Sequence, residues 1–276
     1  MLVLCNGMIR AGSSVQYNIA RMLVQELGVG WARAEFERRY PEKAPNAAAL
    51  AADERQYVFK IHDLTTFEYA DLDLLGKLIG TGGVRVLYIH RDVRDVAVSL
   101  MEKLGVTFDY SCKMIDGALN GYHGVQPHLG APWLLVQRYD ELTSDIEAGV
   151  EQIAALLALD PSPELIQSIV RECSLEGVET VIRDLRRGLV TNKVHSAAAK
   201  LPGSPREKLR TMAYHMSGDQ LEEIGFADRE TQIHFNHIGK FRGRSNVWRT
   251  ELTQGQIGIL NDRFGNWLRE AGYAVP

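Results

Sequence analysis

No run of apolar residues in this 276-residue chain approaches the roughly 18 that a membrane-crossing helix requires, so no membrane span is expected. Positive charge is not in excess either. Against 31 Lys and Arg stand 35 Asp and Glu, for a formal net charge of -4 and a pI near 6.1. That balance argues against a nucleic-acid partner, and it leaves room for a local basic pocket around one small polyanion. Cysteine is scarce: Cys5, Cys112 and Cys173 form no Cys-x-x-Cys pair. Thiols so spaced suit a reducing compartment and a buried, incidental role. The N-terminus lacks a basic stretch ahead of its first apolar residues, so no signal peptide is read and a cytoplasmic location is expected. No internal repeat and no low-complexity tract interrupts the chain. What remains is an ordinary globular composition, 45% apolar and 24% charged. It is long enough to bury a core without disulfide or metal staples, and residues 1–276 are read as one domain.

Short apolar runs and helical spacings then alternate. Leu2–Cys5 reads as a buried strand ended by Asn6 and Gly7, and Ser13 and Ser14 cap a helix that follows from Val15. Tyr57–His62, Val84–His90 and Trp133–Tyr139 are three further strands. A helix over Asp92–Lys103 follows the third of the four, and another over Ser144–Leu159 follows the last, stopping at Asp160-Pro161-Ser162-Pro163. Asn46–Asp53 is Ala-rich and helical. From Pro163 the chain reads as mostly helical, closing on an amphipathic helix over Thr253–Gly272 with Ile257, Leu260, Phe264, Trp267 and Leu268 on one face. Gly188–Asn246 is less regular and reads as partly mobile or lid-like. Strands alternating with helices imply a parallel sheet covered on both faces, and in such sheets ligands bind beyond the carboxyl ends of the strands. Arg10–Ser14, Lys60–His62, Arg91 and Tyr139 all fall at such ends.

Two stretches carry the chemistry. Arg10-Ala11-Gly12-Ser13-Ser14 joins a strand to a helix. A glycine lets backbone wrap an oxyanion, helix-terminal amides and the helix dipole favour negative charge, and Arg10 adds a fixed cation. The Walker pattern Gly-x4-Gly-Lys-[Ser/Thr] is absent. Arg91-Asp92-Val93-Arg94-Asp95-Val96-Ala97-Val98-Ser99 again straddles a strand end, with Ser99 roughly 10 Å along the helix. Arg94 and Asp95 read as a solvated face. His90-Arg91-Asp92 is similar to a kinase catalytic loop, but Ala97 stands where that motif needs Asn.

Together these motifs resemble the family of sulfotransferases that use 3′-phosphoadenosine-5′-phosphosulfate (PAPS). The family's first loop reads Pro-[Lys/Arg]-Ser-Gly-[Ser/Thr]-[Ser/Thr], matched by Arg10, Gly12, Ser13 and Ser14. Its 3′-phosphate motif, Arg-[Asn/Asp]-Pro-[Arg/Lys]-Asp-x-x-x-Ser, is matched by Arg91 and Ser99. Lys60-Ile61-His62 resembles Lys-x-His, Tyr139-Asp140-Glu141-Leu142 resembles Tyr-Glu-Asp-Leu, and Phe241-Arg242-Gly243 with Val247–Thr253 resembles Arg-Lys-Gly-x-x-Gly-x-Trp-Lys-x-x-Phe-Thr. The form of the first loop is closer to the carbohydrate and bacterial branches than to the Lys-bearing cytosolic branch.

The resemblance implies a P-loop-like three-layer α/β fold, a central parallel sheet flanked by helices, with a helical C-terminal half. It implies PAPS as co-substrate, 3′-phosphoadenosine-5′-phosphate (PAP) as product, and no metal. In these terms Arg10, Ala11, Gly12, Ser13 and Ser14 hold the phosphosulfate; Arg91, Ser99, Arg242 and Gly243 hold the 3′-phosphate; Tyr139 lies against the adenine. His62 takes the acceptor proton, while Lys60 and Arg10 stabilise the leaving group. Three positions depart from the pattern: Val93 replaces a proline, Phe241 replaces a phosphate-binding arginine (Lys240, Arg242 or Arg244 being its candidate substitutes), and Leu175 falls near an adenine-stacking aromatic. The acceptor, a small molecule, a glycan or a lipid bearing a hydroxyl or an amine, would meet the loops Arg33–Glu54, Gly105–Pro132 and Gly188–Asn236, with His123, His128 and His195 in loops within reach. His234 and His237 lie one turn apart without a third zinc ligand nearby. Two rival functions are a nucleotide-dependent phosphotransferase, which predicts ATP and Mg²⁺ dependence, and a non-catalytic relative that binds PAP without turnover.

Overall fold

The computed structural model describes residues 1–34, 47–61, 72–191, 230–233 and 237–275. Its centre is a five-stranded, wholly parallel sheet in the order β2-β3-β1-β4-β5. The strands are β1 (Leu2–Gly7), β2 (Gly30–Ala34), β3 (Gln56–Lys60), β4 (Val84–His90) and β5 (Leu134–Arg138). Every residue of β1 and of β3 is buried. Because successive side chains point to opposite faces, both faces of the sheet are covered, as parallel sheets require. β1 runs in register between its neighbours, with Leu2 opposite Tyr57 and Val84, and Gly7 opposite Ile89.

The helices begin where small polar residues supply caps. α1 (Ser13–Glu26) leaves β1 and packs against β2 and β3; α4 (Val93–Leu104) leaves β4 and packs on α5 (Phe108–Val125). Asp92 accepts the Arg94 amide to open α4, and Gly105 (φ 66°) closes it. Thr107 caps α5. Among the described residues the second half is mostly helical, as expected: α6 (Tyr139–Ser144), α7 (Ile146–Leu156), α8 (Pro163–Cys173), α9 (Leu175–Thr191), the short α10 (Trp248–Glu251) and α11 (Gln254–Glu270). Pro163 occupies the first turn of α8, where its missing N–H is no loss, and Thr253 with Gln256 forms a capping box on α11. The expected face of α11 is buried at all five positions. Two small helices, α2 (Ala47–Ala52) and α3 (Leu72–Gly80), pack against each other and against the sheet.

Several expectations are corrected. Ser13 and Ser14 are the first residues inside α1, and Gly12 is its cap, with no side-chain cap bond. β2 is additional to the expected strands; it is an edge strand whose Trp31 meets Tyr57 and Phe59 edge-on at 5.1 and 5.6 Å. Tyr139 opens a helix instead of ending a strand, and the helix expected over 144–159 spans Ile146–Leu156, capped by Asp145. Gly105–Pro132 is mostly helix: His123 lies in α5 and His128 in a 3-10 turn. His195, His234 and residues 192–229 of the irregular segment lie outside the described residues. All three cysteines are buried. Burial raises each thiol pKa, that of Cys173 to about 12. Among the described residues no helix is long and apolar enough to cross a membrane.

Candidate functional site

The chain leaves β1 toward β2 on one side and leaves β4 toward β5 on the other, so the loops after these adjacent strands diverge. That opens a crevice at the carboxyl edge of the sheet, the switch point where open α/β sheets take ligands. Met8 N–H donates to Ile89 O at 2.9 Å and pins the first loop to β4. The loop then makes two left-handed steps, at Arg10 (φ 64°) and Gly12 (φ 84°). Gly12 has no alternative: a Cβ there would sit 2.6 Å from Cδ2 of Tyr139. Ala11 is fully buried beneath the loop. Ser13 and Ser14 follow in the first turn of α1, where backbone N–H groups lack intrahelical acceptors and face the loop.

Charge converges on this crevice from separate strand ends. Lys60, the last residue of β3, is buried and donates from Nζ to Ser14 Oγ at 2.7 Å. Arg10 donates from Nε to Ser99 Oγ on α4 at 3.0 Å. Arg91, 7% exposed, lies 4.3 Å above the Tyr139 ring, donates from Nη2 to Arg244 O at 2.6 Å, and approaches Asp95 at 3.8 Å. Its buried Nε has no hydrogen-bond partner among the described residues. Burial, and then the charge of Arg91, lower the pKa of Arg10; burial raises that of Tyr139. Burial is the largest cause of both shifts.

A strap of residues 237–247 closes one wall. Tyr139 donates its hydroxyl hydrogen to Gly243 O at 2.8 Å, and a Cβ on Gly243 (φ 72°) would meet that hydroxyl at 2.5 Å. Asp95 accepts the amides of Asn246 (2.8 Å) and Trp248 (3.1 Å). Burial raises the Asp95 pKa, against the opposing effects of Arg91 and these amides. The cavity so enclosed measures about 1060 Å³. Arg10, Gly12, Ser13, Ser14, Lys60, Arg91, Ser99, Tyr139, Arg242 and Gly243 all line it. His62 lies outside the described residues.

Other candidates are placed elsewhere. Arg94 and Asp95 are 1% exposed and are no solvated face. Arg94 grips Asp92 through two nitrogens and lies 4.0 Å over Trp248. His90 is packed among Tyr122, Trp267 and Tyr273 with Nδ1 3.0 Å from the Tyr273 hydroxyl. Asp95 is a cavity-lining residue that the sequence reading had placed in solvent. Its signal was the i, i+4 spacing from Arg91, which puts both on one helical face. Among the described residues no group of three or more His, Cys, Asp or Glu is placed to hold a metal ion.

No protein-family model matches the chain. An amine sulfotransferase of Oryctolagus cuniculus is 20% identical over 169 residues, and that match spans 55% of this chain and about half (55%) of the relative's length. Solved structures give fuller coverage. Mouse sulfotransferase SULT7A1 complexed with PAP superposes with a TM-score of 0.57 at 13% identity, covering 98% of this chain and 84% of that one. Retinol dehydratase in complex with androsterone and PAP superposes with a TM-score of 0.57 at 14% identity, covering 100% and 82%. The same enzyme with retinol and PAP gives 0.56 at 15%, covering 100% and 83%. With its parallel sheet, its strand-end crevice and these superpositions, the chain has the fold of the sulfotransferases.

Proposed function

We propose that this protein transfers a sulfonyl group from PAPS to a hydroxyl or amine of an organic acceptor. The observation that carries the proposal is the convergence of Arg10, Lys60, Arg91, Ser99 and the first-turn amides of α1 on one cavity at the switch point of a sulfotransferase fold. The residues suit such a donor on their own terms. A buried guanidinium nitrogen without a partner is costly unless a ligand satisfies it, and the glycine at the α1 cap lets the loop pack closely on Tyr139 while the first-turn amides of α1 favour an anion.

PAPS, when bound, supplies the sulfonyl group and a phosphate leaving group. Ser13, Ser14 and Lys60 face the phosphosulfate end, where negative charge grows on the phosphate oxygen as the sulfur–oxygen bond breaks; preorganised donors in a dry site are effective there. Arg91 and Ser99 hold the 3′-phosphate, for which a guanidinium fork is well shaped. Arg10 adds positive charge to the same cavity. Tyr139 holds Arg91 from below, and Gly243 lets the strap close onto Tyr139. His62, two residues beyond Lys60, accepts the acceptor's proton. An unperturbed imidazole, with a pKa of about 6.5, is matched to that task near neutrality.

Titration calorimetry with PAP tests the donor half. Wild type binds, and Arg91→Ala weakens PAP by about 10- to 100-fold, the worth of one lost charge-assisted contact. Equal binding by the two proteins rules out the assigned site. A screen of phenols, amines, alcohols and sugars with labelled PAPS then identifies the acceptor. With a turned-over acceptor in hand, His62→Ala keeps its PAP affinity and loses turnover; full activity in that variant removes His62 as the base.

A further inference from the structure

The segment after α11 reaches back to the ends of β4 and β5. Gly272 (φ 79°) turns the chain, and the buried Tyr273 lies against both strand ends. Its hydroxyl is 3.0 Å from Nδ1 of His90 and 3.4 Å from the His90 carbonyl oxygen. The Arg138 guanidinium lies 4.5 Å from the centre of its ring and donates from Nη1 to Gly272 O at 2.9 Å. Arg94 adds a bond from Nη2 to Ala274 O at 2.8 Å. His90 and Arg138 are direct partners in the register of β4 and β5, so Tyr273 clasps a matched pair.

The residues that follow this pair are Arg91 and Tyr139, and they also meet, the guanidinium 4.3 Å from the ring centre. Arg91 and Tyr139 line the cavity, whereas Tyr273, His90 and Arg138 do not. Adjacent residues share one planar peptide unit, so a contact that fixes His90 and Arg138 also fixes where the two cavity side chains begin. Burial lowers the pKa of His90 and raises that of Tyr273. Both are therefore neutral near pH 7, and loosening the clasp would leave buried polar atoms unpaired.

We infer that Tyr273 is a positioning residue of the donor site: by holding His90 and Arg138 in register, it sets Arg91 against Tyr139 and so the aim of Arg91 at a ligand phosphate. The inference rests on the PAPS reading and adds to it a residue outside the cavity.

The test measures PAP binding by calorimetry on the full chain. Tyr273→Phe keeps the ring over Arg138 and removes only the hydroxyl. It weakens PAP by about 3- to 10-fold, the worth of one hydrogen bond. Adenosine-5′-phosphate, which lacks the 3′-phosphate assigned to Arg91, changes by less than about 2-fold. Its retained binding also shows that the variant is folded. In a double-mutant cycle with Arg91→Ala, removing the hydroxyl costs less than about 2-fold further, because a residue that acts through Arg91 then has nothing to position. A role in stability alone gives the opposite pattern: both nucleotides weaken alike, or the two losses add in full. Either result overturns the inference and leaves the donor reading standing. So does unchanged PAP affinity in Tyr273→Phe. Failure of wild type to bind PAP removes both.

Discussion

Gly12 is constrained twice, by its left-handed backbone and by the Tyr139 ring where a side chain would go. Gly12→Ala is therefore expected to destabilise the protein by about 1–3 kcal/mol and to disturb the crevice, read as a lower urea midpoint and weaker PAP binding. Arg10 presents the reverse case. Its left-handed backbone suits glycine better, and its half-buried guanidinium shares the cavity with the buried one of Arg91. Arg10→Gly leaves the urea midpoint unchanged or raised while PAP affinity falls, the pattern of a residue kept for binding at some expense of stability. His90 governs a pH response. Burial lowers its pKa to about 4, so the folded state holds it neutral while the unfolded chain takes up a proton below about pH 6.5. The stability it contributes is complete above about 6.5 and is lost as pH falls toward 4, by up to about 3 kcal/mol. Urea midpoints measured across that window fall for wild type, and His90→Phe flattens the slope.

At the scale of elements, α4 organises the site. Arg91, just ahead of it, and Asp95, Ser99 and Glu102 on it recur at intervals of four, four and three, one stripe facing the cavity. Within that stripe Asp95 joins α4 to the strap, so Asp95→Ala releases the turn before α10. The expected loss is about 1–3 kcal/mol, since two charge-assisted bonds vanish together with the cost of burying the carboxylate. Limited proteolysis between 237 and 247 should accelerate. β1, β3 and β4 were legible because strands buried on both faces write themselves as unbroken apolar runs. β2 was not, because an edge strand of Gly30, Trp31, Ala32, Arg33 and Ala34 carries no such run. The site's cations were legible as motifs at strand ends. Their partners were not: that Arg10 meets Ser99, or that Asp95 holds a segment about 150 residues away, depends on packing between elements that spacing within one element does not encode.

At the scale of the molecule, the crevice draws its walls from the loop after β1, the end of β3, Arg91 just after β4, α1, α4, α6, α8, α9 and the strap, so a donor bound there bridges segments from across the chain. Ligand held only by the folded state stabilises it, by about 2.7 kcal/mol at a hundred times the dissociation constant. A thermal shift with PAP, diminished in Arg91→Ala, follows. The burial of all three thiols has a practical consequence. With each thiol shielded and its pKa raised, the native protein carries little thiolate at neutral pH and should resist maleimide. The chain is thereby a blank background for labelling: a single new cysteine on the strap, as in Lys240→Cys, would carry the only accessible dye, and its emission would report whether the strap shifts when PAP is added.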